Sequence, residues 1–230
     1  MGEPTYSVPQ NSGDRLAVLE RLIAKQAQGA VRLSVLEVGS YEGGSALMFS
    51  HAIAKHCEHG GMVMCVDPWL PYLPEEDVNS NEMCGRMEAA LKSGEVFKRF
   101  CENITFGDPQ AKIKFQLGSL PTVLPTLGPE EQFDLIYIDG SHAYQDVRKD
   151  ILIAKPFVKV GGLLCGDDLE RQLADSDQEF THRNKHREYV NGYHPGVTLA
   201  VAKAFGTVWC EEAVWAVRKV DRSCKQWSSP

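Results

Sequence analysis

The 230-residue chain has no long apolar run: its longest, such as Val197–Ala202, fall far short of the roughly 20 residues a membrane-spanning helix needs, so no span is expected. It has no excess of basic residues. Lys+Arg number 24 against 31 Asp+Glu, a formal net charge of -7. That balance provides no electrostatic footprint for DNA or RNA, and nucleic acid is not expected as a partner. There is no C-x-x-C pair, and the seven cysteines (Cys57, Cys65, Cys84, Cys101, Cys165, Cys210 and Cys224) are odd in number. Neither a disulfide framework nor a zinc ribbon is expected, and most of these thiols should be reduced and buried as small hydrophobes. Met1–Arg15 carries no basic region followed by an apolar run, so a secretory signal is not expected and a cytoplasmic location is. Asn103-Ile104-Thr105 then reads as a chance match to the glycosylation acceptor pattern.

What is present is ordinary for a globular protein. Hydrophobic residues make up 43% and charged residues 24%, which excludes a disordered, collagenous or repeat-built chain. Leu16, Leu19, Leu22 and Ile23 fall at helical spacing within residues 14–29 and predict an amphipathic helix that covers one sheet edge. Leu33–Val38 is a β-prone run ending at Gly39, and a helical pattern follows from Ser45 to Cys57. Met62–Val66 reads as a second strand, stopped at Asp67-Pro68 because proline cannot continue a central ladder. A Pro-rich loop and two helices, Asn81–Lys92 and Glu95–Ile104, come next, longer than a minimal crossover needs. Lys112–Leu117, Phe133–Ile138 and Leu163–Gly166 read as three further strands, with a helix over Tyr144–Val158. Thr207–Cys210 and Ala213–Val220 are spaced for a tight hairpin at the sheet's edge.

Alternating strands and helices predict an α/β fold, a doubly wound Rossmann-like and mainly parallel sheet with an antiparallel last strand and helices on both faces. A single domain over 1–230 is expected, with 1–32 as N-terminal helical cover, 68–111 as an insertion that forms the substrate region, and 169–196 as a lid. In such sheets ligands bind outside the carboxyl ends of the strands. The residues there are Glu37–Ser45, Asp67–Trp69, Gly118-Ser119, Asp139–His142 and Asp167-Asp168, and four of these five groups hold a carboxylate. The glycines of the first group would let a ligand approach the backbone at a helix start. A G-x-G-x-x-G dinucleotide fingerprint is lacking, since Tyr41 stands where its second glycine belongs. Asp67 suits a carboxylate that accepts two ribose hydroxyls, or alternatively a turn cap ahead of Pro68.

Together, Glu37-x-Gly39-x-x-x-Gly43-x-Ser45, Asp67-Pro68-Trp69, Gly118-Ser119, Asp139-Gly140-Ser141-His142-x-Tyr144 and Gly161-Gly162-x-x-x-x-Asp167-Asp168 resemble class I S-adenosylmethionine-dependent methyltransferases. The likeness runs from Leu33 to Val220 and is strongest to metal-dependent O-methyltransferases that act on sugars of antibiotics, more distant to catechol-type enzymes. It implies that Glu37 and the Gly39–Ser45 loop, including Ser40, Tyr41 and Gly43, hold the methionine part of the cofactor. Asp67 would take the ribose and Gly118-Ser119 the adenine edge, with Asp139 close by. Trp69 would be a stacking wall or, equally, a core or lid aromatic. Asp139, Asp167 and Asp168 would bind one divalent cation, Mg²⁺ first and Ca²⁺ or Mn²⁺ next, because an all-oxygen set favours a hard ion. The bland alternative for Asp167-Asp168 is a helix cap, against which stands the repulsion of three clustered acids.

The same resemblance implies in-line transfer of a methyl group to a hydroxyl of a small molecule, a vicinal diol on a sugar or glycoside, or a catechol. His142 or Asp139 would accept the proton, although catechol-type relatives carry a lysine at the place of His142. His182 and His186 lie four apart with no third ligand and are expected to be exposed. Assembly into a homo-oligomer is compatible with the resemblance and unread in the sequence. Two other readings stay open at this point: a nicotinamide-dependent oxidoreductase and a non-catalytic cofactor-binding module.

Overall fold

The computed structural model describes residues 2–8, 12–128, 131–221 and 227–230. Cys224 lies outside them. The elements in chain order are α1 (Gly13–Ala27), β1 (Leu33–Val38), α2 (Gly44–His56), β2 (Gly61–Asp67), α3 (Glu75–Ser80), α4 (Glu82–Ser93), α5 (Glu95–Asn103) and β3 (Ala111–Leu117). They continue with α6 (Leu120–Val123), β4 (Phe133–Ile138), α7 (Tyr144–Ala154), β5 (Val158–Gly166), α8 (Gln178–Arg183), α9 (Pro195–Phe205), β6 (Trp209–Glu211), β7 (Val214–Lys219) and β8 (Trp227–Ser228).

The strands form one sheet in the order β3-β2-β1-β4-β5-β7-β6, with β8 paired to β7. β3, β2, β1, β4 and β5 run parallel, and β7 pairs antiparallel with β5, β6 and β8. Parallel strands buried on both faces need apolar residues at successive positions, and β4 obeys this with Leu135, Ile136, Tyr137 and Ile138 all buried. Alternation then divides them. Val35, Leu135, Tyr137 and Cys165 pack with α1, α2 and α5, whereas Leu36, Ile136, Ile138 and Leu164 pack with α6, α7 and α9.

The expected architecture is present, with three local corrections. The first helix covers a face of the sheet and not an edge: Val18, Leu19, Leu22 and Ile23 are buried in one cluster with Val35, Leu135 and Ala216 from three strands. The helix expected over Tyr144–Val158 ends at Ala154, because Pro156 supplies no amide proton, and β5 already begins at Val158. The third is α9, which amphipathic periodicity could not reveal. Every residue from Pro195 to Val201 is buried, so no polar stripe marks it, and Pro195 stands at its first turn, where a missing N–H costs nothing. The short helices α3, α6 and α8 also went unread.

The last hairpin turns at Glu212 and Ala213, both at positive φ (50° and 65°), the backbone that tight two-residue hairpins need. Asn103 is 1% exposed and its Nδ2 donates to the carbonyl oxygens of Thr5 (2.9 Å) and Glu42 (2.8 Å), so the amide of the acceptor-like triplet is buried in a structural role. Among the described residues no helix is long and apolar enough to cross a membrane. Because α1 roofs a sheet face, Ile23→Ala should lower unfolding free energy by about 2–5 kcal/mol. Urea denaturation checks this, and a loss below about 0.5 kcal/mol, as surface positions show, would return α1 to a peripheral edge role.

Candidate active site

β1 pairs with β2 on one side and β4 on the other, so the sheet's topological switch lies between the carboxyl ends of β1 and β4. A cavity of about 850 Å³ opens there. Its floor is the turn between β1 and α2. Gly39 has φ +83°, and a Cβ at this position would lie 2.0 Å from the Asp139 carbonyl oxygen, so only glycine lets the turn cross the end of β4. The Asp67 carboxylate holds the turn from beneath, with Oδ2 accepting from the amides of Ser40 (2.9 Å) and Tyr41 (3.0 Å) and Oδ1 from that of Trp69 (2.6 Å). Burial raises the Asp67 pKa from its ordinary value although these three amides oppose it. Tyr41, Trp69 and Asp168 have φ of 44°, 48° and 63°, so left-handed backbone in non-glycine residues follows β1, β2 and β5 on the same rim.

Under the turn, Glu37 is fully buried, and desolvation lifts its pKa to about 7 despite the hydroxyls of Ser40 and Ser45 and the thiol of Cys65. Cys65 Sγ donates to Oε2 at 3.3 Å, while Oε1 receives no well-formed hydrogen bond.

The opposite pole of the cavity is a cluster of charges. Asp139 follows β4 and Asp167-Asp168 follow β5, and one oxygen from each lies within 4.8 Å of the others. Tyr137 Oη donates to Asp167 Oδ2 (3.2 Å) and Asp139 Oδ2 (3.3 Å). Arg15, from the first turn of α1, places Nη1 2.9 Å from Asp167 Oδ2 and 2.7 Å from Asp168 Oδ1. His142 lies with Nδ1 2.5 Å from Glu188 Oε1, and its Nε2 is 3.0 Å from Asp168 Oδ2 and 3.8 Å from Asp139 Oδ1 without aligning on either. His194 Nδ1 is 3.0 Å from Glu170 Oε1 and 3.6 Å from Asp168 Oδ1.

Electrostatics follow from this packing. Burial works to raise the Asp168 pKa, but the charges of His142, His194 and Arg15 outweigh it and hold this carboxyl well below the usual range. Burial beside Asp168 and Asp139 pushes Asp167 well up instead, with Arg15 opposing. Burial pulls the His142 pKa down, yet Glu188 and Asp168 overcome it and leave the ring well above its ordinary value. Three clustered carboxylates that lean on borrowed cations form a donor set that suits a hard divalent ion. The crossing at Gly39 and the buried Ser40 Oγ beside the cavity, which makes no well-formed hydrogen bond, suit a ligand laid across the turn.

Residues 36–169, more than half of the chain, match the family described as a methyltransferase domain. The chain belongs to this methyltransferase family. No curated protein matches it by sequence. Among solved structures it is similar to the O-methyltransferase NovP, at a TM-score of 0.59 and 18% identity, covering 90% of this chain and 80% of that one. It is also similar to CalS11, a calicheamicin methyltransferase, at 0.56 and 13%, covering 90% and 78%. TomG, an O-methyltransferase from Streptomyces achromogenes, gives 0.50 and 14%, covering 91% and 82%. At these identities the likeness speaks for the fold, and the class I methyltransferase architecture expected from the sequence is the one observed.

In this methyltransferase Gly39, Ser40, Tyr41, Ser45, Asp67, Gly118, Ser119, Asp139, His142 and Asp168 all line the cavity. Glu37 and Gly43 do not; the first lies beneath the turn, and the second caps α2 where a Cβ would meet Phe100 and Ile104. Asp167 sits just behind the wall, joined through Tyr137 and Arg15. Of the two readings of Trp69, the structure fits the core aromatic: it is 5% exposed, its Nε1 donates to the Tyr41 carbonyl (2.8 Å), and it packs on Phe97, Phe100 and Phe115. His182 and His186 are exposed, and the latter pairs with Glu76.

Arg15, Glu170, Glu188 and His194 went unread. Arg15, Glu188 and His194 reach the cluster by fold contacts remote in sequence, with no local spacing to betray them, while Glu170 follows Asp168 by two residues and joins through its contacts with Arg15 and His194.

The buried Glu37 carries a signed prediction. Its folded pKa lies above the unfolded value, so the native state keeps this proton longer and the methyltransferase loses stability as pH rises from about 4.5 through 7. Glu37→Gln removes that penalty. The variant's stability relative to wild type should therefore climb by up to about 3 kcal/mol between pH 5 and pH 8 in urea melts, and a difference independent of pH would contradict the assignment.

Proposed function

We propose that the protein is an O-methyltransferase that moves the methyl group of S-adenosylmethionine to a hydroxyl of a small molecule with the help of a divalent cation, Mg²⁺, Mn²⁺ or Ca²⁺. The observation that carries this reading is the convergence of the glycine turn, Asp67, Gly118-Ser119 and the Asp139/Asp168 pole on one cavity. When bound, the cofactor supplies an electrophilic methyl on sulfur, and the cation supplies a Lewis acid that lowers the pKa of an acceptor hydroxyl.

The chain's own groups have distinct tasks. The turn from Gly39 to Ser45 presents backbone to the methionine portion, Asp67 keeps that turn in place and faces the ribose, and Gly118-Ser119 border the adenine. Asp139, Asp167 and Asp168 are the cation's ligands. The two candidate proton acceptors both face the carboxylate pole: His142, whose ring lies between Glu188 and Asp168, and Asp139, whose Oδ2 accepts from Tyr137 Oη. The insertion contributes Leu70, Tyr72, Met83 and Met87 to the cavity and so shapes the acceptor end. A vicinal diol on a sugar or glycoside, or a catechol, fits best, because two adjacent oxygens can chelate a cation at the carboxylate pole while the remaining body rests on these apolar groups.

Titration calorimetry tests the assignment. S-adenosylmethionine should bind wild type, and Asp67→Ala should weaken it by about tenfold or more, the equivalent of about 1.4 kcal/mol, because the amides of Ser40, Tyr41 and Trp69 lose the carboxylate that accepts from them. Asp167→Ala should leave cofactor binding within about threefold of wild type while abolishing metal-dependent turnover, since that side chain lies behind the wall at the other pole. Cofactor binding untouched by Asp67→Ala, or an Asp167→Ala variant still active and insensitive to metal, contradicts the respective role.

A further inference from the structure

We propose that Arg15 is the resident counter-cation of the strand-end carboxylates, and that a divalent ion reaches Asp167 and Asp168 only by displacing its guanidinium onto Glu170. The inference rests on the divalent-cation reading above and goes beyond it, because it makes a residue of the N-terminal helix a determinant of how tightly the site holds metal.

Three observations carry it. Nη1 sits against Asp167 Oδ2 (2.9 Å) and Asp168 Oδ1 (2.7 Å), two of the carboxylates that a metal would use. A guanidinium and a divalent ion on the same oxygens would repel each other at close range, so the two exclude one another. The Asp167 side chain is 1% exposed, so its charged form needs a cation against it, and among the described residues Arg15 is the one within reach. Finally, the guanidinium has somewhere to go. Ser12 Oγ caps the Arg15 amide (3.3 Å), and Val18 and Leu19 are buried one turn on, so the backbone of α1 is anchored and only the side chain is free to swing. Arg15 lines the open cavity, and its Nη2 already lies 3.6 Å from Glu170 Oε1, whose side chain is 21% exposed. A short rotation would exchange two buried partners for this one. The metal affinity of the wild-type protein is then a net quantity, the ion's own attraction less the cost of moving Arg15.

The test uses Mn²⁺ alone, with no methyl donor or acceptor, on wild type, Arg15→Gln and Glu170→Gln, read by calorimetry and by thermal unfolding. Arg15→Gln should bind Mn²⁺ roughly tenfold or more tighter than wild type. Without metal it should unfold at a lower temperature than wild type, and saturating Mn²⁺ should return most of that loss, because binding to the native state alone stabilises it. Glu170→Gln, which keeps Arg15 but removes its second berth, should bind Mn²⁺ more weakly than wild type and serves as the reporter if metal-free Arg15→Gln does not fold. Equal Mn²⁺ affinity in all three proteins overturns the competition while leaving the metal reading intact. No Mn²⁺ binding by any of them overturns both, and Arg15 is then the permanent partner of the acids.

Discussion

Burying several carboxylates at one place is the constraint from which the rest of this molecule follows. Asp139, Asp167 and Asp168 are brought together by the parallel pairing of β4 and β5, and none of them can be left charged in a dry wall without a partner. The partners come from three separate parts of the chain. Arg15 arrives on α1, which is why that helix must lie across the sheet face; His142 follows β4 directly, and His194 stands at the start of α9. The cluster therefore ties both helical layers to the strand ends, and the cavity wall is an ion lattice whose geometry depends on the whole fold.

The two chain regions that vary most from a minimal α/β unit support each other and the site. Arg187 Nε donates to Asp77 Oδ1 at 2.8 Å, the Glu188 amide donates to Asp77 Oδ2 at 2.9 Å, and Asp77 is 1% exposed on α3. Glu188 in turn meets His142. A change in the insertion thus reaches the His142 imidazole at the carboxylate pole through two hydrogen-bonded steps. On the cofactor side the equivalent link is Trp69, which joins the Tyr41 carbonyl to the rings of Phe97, Phe100 and Phe115 and so fastens the turn to α5 and β3.

Much of this was legible in the residues. Four of the five parallel strands betrayed themselves as short apolar runs that stop at a glycine or an acid, β3 alternates polar and apolar residues up to Gly118, and the rim acids followed once the strands were placed in one sheet. The hairpin of β6 and β7 was readable from the short spacing between its two runs. What escaped was what depends on three dimensions. α9 is buried on all sides and shows no stripe; Trp69 has the same identity in a core as in a ligand wall; Arg15, 152 positions from Asp167, looks like any charge on the first turn of an amphipathic helix. The upward shift of the His142 pKa also belongs to this group, since its main cause is Glu188, 46 residues away.

The central claim is that a methyl donor lies across the strand ends, between the glycine turn and the carboxylate pole. The most direct measurement is a crystal structure of the protein with S-adenosylhomocysteine. The account predicts ligand density with its amino-acid portion on Gly39–Ser45, its ribose beside Asp67 and its adenine against Gly118-Ser119. Density at another surface, or a cavity that stays free of ligand at saturating concentration, would contradict it.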